Sequence, residues 1–265
     1  MKSSKTLAIF NAIALAVTLI VNYMSNTGVF NGNTMETVSD AYHNLFTPAG
    51  YAFAIWGVIY LLLIGFVIYS FTILKKEKER GIIDRIGTTF IVTCVSNSLW
   101  VITWLYDYTG VSVLIMIVLF IALLRIVSRT KMELTNPPLR VVAFVWWPFA
   151  VYSGWISVAL IANISAYLTK IGWESIGISE SSFAVTMLIV AGILHVFMTW
   201  KRNMREFAMV GTWALIAVAV SNESQSETVY LTALVVAAVI FLSAVIHGAI
   251  HFRGFGRSVE DFELQ

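Results

Sequence analysis

The chain has 265 residues, of which 58% are hydrophobic and only 12% charged, with a formal net charge of +2. So little polar surface excludes a soluble domain of this size and marks an integral membrane protein, and so small a positive charge gives no ground for nucleic-acid binding. The single cysteine, Cys94, excludes an internal disulfide and a cysteine metal cluster, and reads as a small core residue.

Eight apolar runs follow in order, at about 7–23, 51–74, 88–106, 111–127, 141–168, 183–200, 207–220 and 229–250. They predict an all-α integral membrane protein with eight transmembrane helices. The first run has the basic start of a secretory signal in Lys2 and Lys5. Asn22 and Tyr23 stand where a small-residue cleavage site would be needed, so a retained helix is expected.

Sixteen of the 17 lysines and arginines fall in alternate gaps: Lys2 and Lys5; Lys75 to Arg85; Arg125 to Arg140; Lys201 to Arg205; Arg253 and Arg257. Lys170 is the exception. The positive-inside rule then places both termini in the cytoplasm and the loops 24–50, 107–110, 169–182 and 221–228 outside, in what is expected to be a bacterial plasma membrane. Two runs are short for a hydrocarbon core of about 30 Å: 207–220 rises only about 21 Å, and 111–127 reaches full length only if Arg125 snorkels. Seven spans is the alternative, but it strands Arg253 and Arg257 outside. The fifth run is long and carries Pro148, which predicts a tilted or kinked helix, and Pro137 and Pro138 mark its start.

No acidic residue lies inside a run, Asp107 coming closest, which speaks against ion-coupled transport. No lysine within a run is available for a retinal Schiff base. His247 and His251 have the i, i+4 spacing of a metal pair, but the second falls at the cytoplasmic end beside Arg253, so no metal and no cofactor is assigned. No nucleophile–base pair appears, which leans away from an enzyme.

What the runs do carry is aromatic and amide chemistry. At a rise of 1.5 Å per residue, Trp56 and Trp100 each sit about 9 Å below the outer surface, with Asn163 near the same level and Asn97 and Trp155 one to two turns deeper. Each set keeps to one helix face: Phe53, Trp56 and Tyr60; Asn97, Trp100 and Trp104; Tyr152, Trp155, Ala159 and Asn163. Two readings stand. In one, these are interfacial belts and ordinary helix packing, which also accounts for Trp104, Tyr106, Tyr108, Trp146 and Trp200. In the other, the rings and amides line an outer-half pocket for a flat, apolar ligand.

The stretch from Phe46 to Tyr60, FTPAGYAFAIWGVIY, resembles the start of the second helix of the TspO/MBR family, the tryptophan-rich sensory proteins that include the mitochondrial translocator protein. Ile55, Trp56, Gly57 and Tyr60 match its Ile-Trp-Gly-x-x-Tyr segment, Asn97 and Trp100 its Asn-x-x-Trp, and Pro148, Phe149, Trp155, Ala159 and Asn163 its fifth-helix pattern. The resemblance covers 1–168 and implies a five-helix bundle whose cavity binds porphyrins, sterols and aromatic ligands. Residues 169–252 would then be a three-helix transmembrane extension and 253–265 a cytoplasmic tail. Unlike the family, loop 24–50 has no tryptophan, and Pro48 is followed by Ala49.

The expected ligand-binding residues are therefore Trp56, Tyr60, Asn97, Trp100, Tyr152, Trp155 and Asn163. Loop 24–50 is either a lid, hinged through Phe46, Pro48, Gly50 and Tyr51, or a solvated connector. The function expected is that of a membrane receptor or sensor for a hydrophobic planar molecule, tetrapyrrole or sterol-like. An uncoupled transporter and a tetrapyrrole-modifying enzyme are the alternatives. Membrane lipid and the small molecule are the expected partners, and the oligomeric state is left open.

Overall fold

The computed structural model describes residues 2–135, 137–173 and 179–251. Arg253, Arg257 and the predicted tail lie outside the described residues. Among those described, all regular secondary structure is helical. Its helices are α1 (Lys2–Met24), α2 (Met35–Ala41), a 3-10 turn (Gly50–Ala54) running into α3 (Ile55–Thr72), α4 (Glu77–Ile86), α5 (Thr89–Leu105) and α6 (Thr109–Arg129). A short α7 (Leu139–Val141) passes through a π-helical turn (Val142–Trp146) into α8 (Trp147–Lys170), followed by α9 (Glu180–Arg202), α10 (Arg205–Asn222) and α11 (Glu227–Ile250).

Six stretches are long and apolar enough to cross a membrane: Ser4–Met24, Gly50–Thr72, Thr109–Arg129, Leu139–Lys170, Glu180–Arg202 and Glu227–Ile250. The α4–α5 pair, bent by 47° at Gly87 and Thr88, makes a seventh if counted as one span. α10, where the shortest span was expected, is not among them. The irregularity expected at Pro148 falls one turn earlier. Proline occupies the first turn of α8, where its missing N–H is no loss, and the π turn precedes it.

Side-chain bonds sort the helix ends into two sets. At one end Ser4 donates to Asp84 at 2.9 Å, Arg202 to the Val127 carbonyl at 3.4 Å and Asn203 to the Glu133 carbonyl at 2.8 Å. There Glu79, only 6% exposed, holds Arg140 through two bonds of 2.7 and 3.2 Å and accepts the Tyr69 hydroxyl at 2.8 Å. The basic clusters among the described residues thus gather at this end. Lys170 sits at the other and pairs with Asp107 at 2.7 Å, so the one base that breaks the pattern is neutralised.

α4 is a helix that the sequence reading left inside a basic loop. Its apolar residues Ile82, Ile83 and Ile86 are buried, Asp84 and Arg85 face outward, and Glu79 turns inward to Arg140, an amphipathic arrangement. The last three helices are not a separate layer. α10 packs against α8, α9 and α11, and at Gly154 of α8 the backbones touch. A Cβ there would lie 2.9 Å from the Phe207 carbonyl oxygen. A Cβ at Gly211 would overlap the ring of His195, which is wholly buried between α8, α9 and α10. The Ala191 carbonyl, 2.7 Å from His195 Nδ1, can only accept, so Nδ1 carries the proton, and Nε2 faces Ser157 Oγ at 3.4 Å.

Gly154→Ala should therefore cost about 2 kcal/mol by overpacking, whereas Gly57→Ala, whose new methyl meets open space, should be neutral or slightly stabilising. Thermal melting of the two purified variants checks this. Equal melting temperatures would show that α8 and α10 have slack at their crossing.

Candidate functional site

The 3-10 turn that opens the third helix decides where the aromatic face points. The Ala49 N–H donates to the Ala217 carbonyl of α10 at 2.9 Å, the Trp213 indole donates to the Ala52 carbonyl at 3.4 Å, and Tyr51 meets Trp213 edge-on at 5.1 Å. With its start held this way, α3 turns Trp56 inward. Trp56 stacks on Tyr60 at 5.5 Å, lies 5.8 Å from both Trp100 and Tyr152, and meets Trp155 at 6.3 Å. Phe53 closes on Trp155 at 6.2 Å. The rings expected from the sequence on three helices do come together.

The two expected amides are spent on protein partners. Asn97 accepts from Asn22 of α1 at 2.8 Å and donates to the Tyr152 hydroxyl at 2.9 Å. Asn163 accepts the Trp100 indole N–H at 3.0 Å and exchanges bonds with Ser112 of α6 at 3.0 and 3.1 Å. What remains uncommitted is the Trp155 indole N–H and the Tyr60 hydroxyl, both buried.

Above the ring cluster lies a cavity of about 40 Å³. Phe53, Trp100, Trp104, Trp155 and Asn163 wall it, Ala159, Ala162 and Ala214 leave it open, and Met35, Ser39, Thr47 and Pro48 roof it. At roughly 10–15 Å³ per water, it has room for about three or four water molecules. Trp56, Tyr60, Asn97 and Tyr152 stand behind the wall and do not line it.

Several of these residues escaped the sequence reading. Trp104 was assigned to an interfacial belt, yet it is 6% exposed, and its indole donates to the Met35 carbonyl at 3.3 Å. Its position four residues after Trp100 on the same face carried the signal. Trp146 is likewise core, whereas Tyr106, Tyr108 and Trp200 are exposed. Ala214 belongs to the C-terminal helices, where no pattern marked it.

Loop 24–50 is ordered over this cavity. It contains α2, started by Thr34 and Thr37, whose hydroxyls cap each other's backbone N–H groups. Asn33 donates to the Leu105 carbonyl at 2.9 Å, and the Leu45 carbonyl accepts from Asn222 of α10 at 3.0 Å. Tyr42 donates to Asp107 at 3.0 Å, while Lys170 pairs with Asp107 and lies over the Tyr42 ring at 5.4 Å. Lys170 also donates to the Asp107 carbonyl. Of the expected hinge residues, Phe46 is buried in the core, Pro48 is in the cavity roof, and Gly50 and Tyr51 open the 3-10 turn.

The chain matches the TSPO-like protein family over residues 8–246. It belongs to that family. The match takes in α9, α10 and most of α11, further than the 168 residues that carried the resemblance. No curated protein and no solved structure matches the chain. Family membership and the buried aromatic cluster are together compatible with a membrane protein that binds a ligand.

Burial, and then the hydrogen bond to Asp107, raise the Tyr42 phenol above the usual tyrosine range. A raised value means the folded state holds this proton more tightly, so the contact stabilises below about pH 10 and is lost as pH rises through the folded-state value. The stability gap between wild type and Tyr42→Phe in thermal melts should be constant up to that point and then close. A gap that persists at higher pH would detach the hydroxyl from loop anchoring.

Proposed function

We propose that this protein is a membrane receptor of the sensor type that holds a hydrophobic planar molecule, tetrapyrrole or sterol-like, in the aromatic cavity beneath loop 24–50. The observation that carries this reading is the buried, unpartnered indole N–H of Trp155, a residue that lines a cavity with three tryptophans and, among the described residues, no charged one. A buried donor without an acceptor costs free energy that a ligand oxygen or nitrogen recovers. Trp100, Trp104 and Trp155 supply ring area, Trp56, Tyr60 and Tyr152 back them, and Asn97 and Asn163 hold the rings at their heights. Because the buried walls are uncharged, the part of the ligand they enclose is neutral. At about 40 Å³ the cavity is too small for such a molecule as it stands, so binding displaces the roof at Met35, Ser39, Thr47 and Pro48.

The reading includes eight crossings, with both termini on the cytoplasmic side. α10 joins the basic end of α9 to the opposite end, where Asn222 meets Leu45, so it traverses the same depth as its neighbours. Its 18 residues rise about 27 Å, and its exposed stripe, Met209, Trp213, Ile216 and Val220, is apolar as a lipid-facing surface requires.

Titration of the purified protein with protoporphyrin, followed by tryptophan quenching, tests the site. Saturable binding is expected in the wild type, with Trp155→Phe and Trp100→Phe weakened about tenfold, the loss of about 1.4 kcal/mol of stacking and hydrogen bonding. Unchanged affinity in both variants would place the ligand elsewhere. Time-dependent uptake into liposomes would turn the reading towards uncoupled transport.

A further inference from the structure

A second cavity, of about 500 Å³, opens at the same end of the bundle but outside the ring cluster. It lies between segment 43–46, the last turn of α8 with the residues just beyond it, and the first turn of α9. The chain from His43 to Pro48 is the partition between the two spaces: His43 to Phe46 line the outer one, Thr47 and Pro48 the inner. On α8, Ser165 faces outward and its neighbour Ala166 inward. The volume is that of a small-molecule site, typically about 300–1,000 Å³.

We infer that this outer cavity binds a hydrophobic organic cation, such as a quaternary or protonated tertiary amine with an aryl or alkyl body. Glu180 is the one carboxylate among the described lining residues, which include no lysine or arginine. One Glu180 oxygen accepts the Leu45 N–H at 3.2 Å, which fixes the side chain. Among the described residues no hydrogen bond or ion pair occupies the other oxygen. Lys170, the base next along α8, is turned away and committed to Asp107. His43, also in the lining, has its Nε2 3.4 Å from Ser221.

The aromatic residues complete the chemistry. Trp173 and Phe183 meet edge-to-face at 6.0 Å, giving ring surface beside the carboxylate, where a cation gains from both charge and ring quadrupole. Phe46, Leu168 and Ala184 supply apolar wall for the body of the ligand. An anion would meet Glu180 with no lysine or arginine among the described lining residues to offset it, and a neutral molecule would leave the exposed carboxylate to water.

The test is calorimetric titration of benzyltriethylammonium into the full-length protein in phosphatidylcholine nanodiscs. Saturable binding at one site is expected, about tenfold weaker in both Glu180→Gln and Phe183→Ala, the equivalent of about 1.4 kcal/mol for each contact. Gln keeps an oxygen for the Leu45 N–H, so an unchanged melting temperature confirms that this variant is folded. Trp155→Phe, in the inner cavity, should leave the cation's affinity unchanged, which separates this site from the porphyrin titration. Absence of saturable binding, equal affinity in Glu180→Gln, or a loss in Trp155→Phe would each overturn the inference.

Discussion

Two asparagines in a medium without competing water hold the site together. In hydrocarbon an amide must find its partners within the protein, and each bond across helices is worth roughly 0.6–2 kcal/mol. Asn97 ties α1 to α8 through α5, and Asn163 ties α5 to α6 through α8. The Asn163 bond fixes the Trp100 indole directly, and the Asn97 bond fixes Tyr152, against which Trp56 rests edge-on at 5.8 Å. Ring positions in the cluster are thus consequences of amide geometry. The same bonds explain why these amides, the obvious polar groups for a ligand on sequence grounds, are unavailable to one without breaking helix contacts. The spare donors are the Trp155 indole and the Tyr60 hydroxyl, which the network leaves alone, and of the two only Trp155 lines the cavity.

The C-terminal helices enter this arrangement through small residues. Gly154 and Gly211 let α8, α9 and α10 approach until backbone and ring atoms touch, and α10 then offers Ala217, Trp213 and Asn222 to the segment between Leu45 and Ala52. Without α10 that segment would lose its backbone partner at Ala49 and its anchor at Leu45. Helices beyond the five of the resemblance therefore shape the mouth of the site, and Ala214 lines the cavity itself.

Much of this was legible in the sequence, and the exceptions have physical causes. Spacing on single faces placed Trp56, Trp100 and Trp155 together because helical periodicity is local and the depth of a residue follows from its distance to a helix end. Charge alternation located the basic end for the same reason. Trp104 was misassigned because depth alone cannot separate a lipid-facing indole from one covered by a loop, and the covering depended on α2. That helix is seven residues long and announced only by Thr34 and Thr37, a weaker form of the usual box with Glu or Gln at the third position. α4 was missed because its charged composition masks an apolar face of three isoleucines. Whether rings enclose space or fill it depends on packing between helices, which no periodicity encodes.

On the proposed reading, the small volume of the cavity sets a limit on how a ligand is admitted. Helix separation would break the amide ties in hydrocarbon, where nothing replaces them. Loop displacement breaks instead a set of bonds at the rim: Tyr42 to Asp107, Asn33 to the Leu105 carbonyl, Trp104 to the Met35 carbonyl, and Asn222 to the Leu45 carbonyl. Water can take over most of these, so each contributes a net of only about 0.5–1.5 kcal/mol, and the whole set about 2–6 kcal/mol. On the proposed reading the loop end is thus the cheaper route. The same few kcal/mol are subtracted from any ligand's intrinsic affinity, because only the open fraction of molecules is competent to bind. Loosening Asp107 or Asn222 therefore acts on affinity without touching the ligand, and a weakly binding wild type is compatible with a well-formed aromatic site.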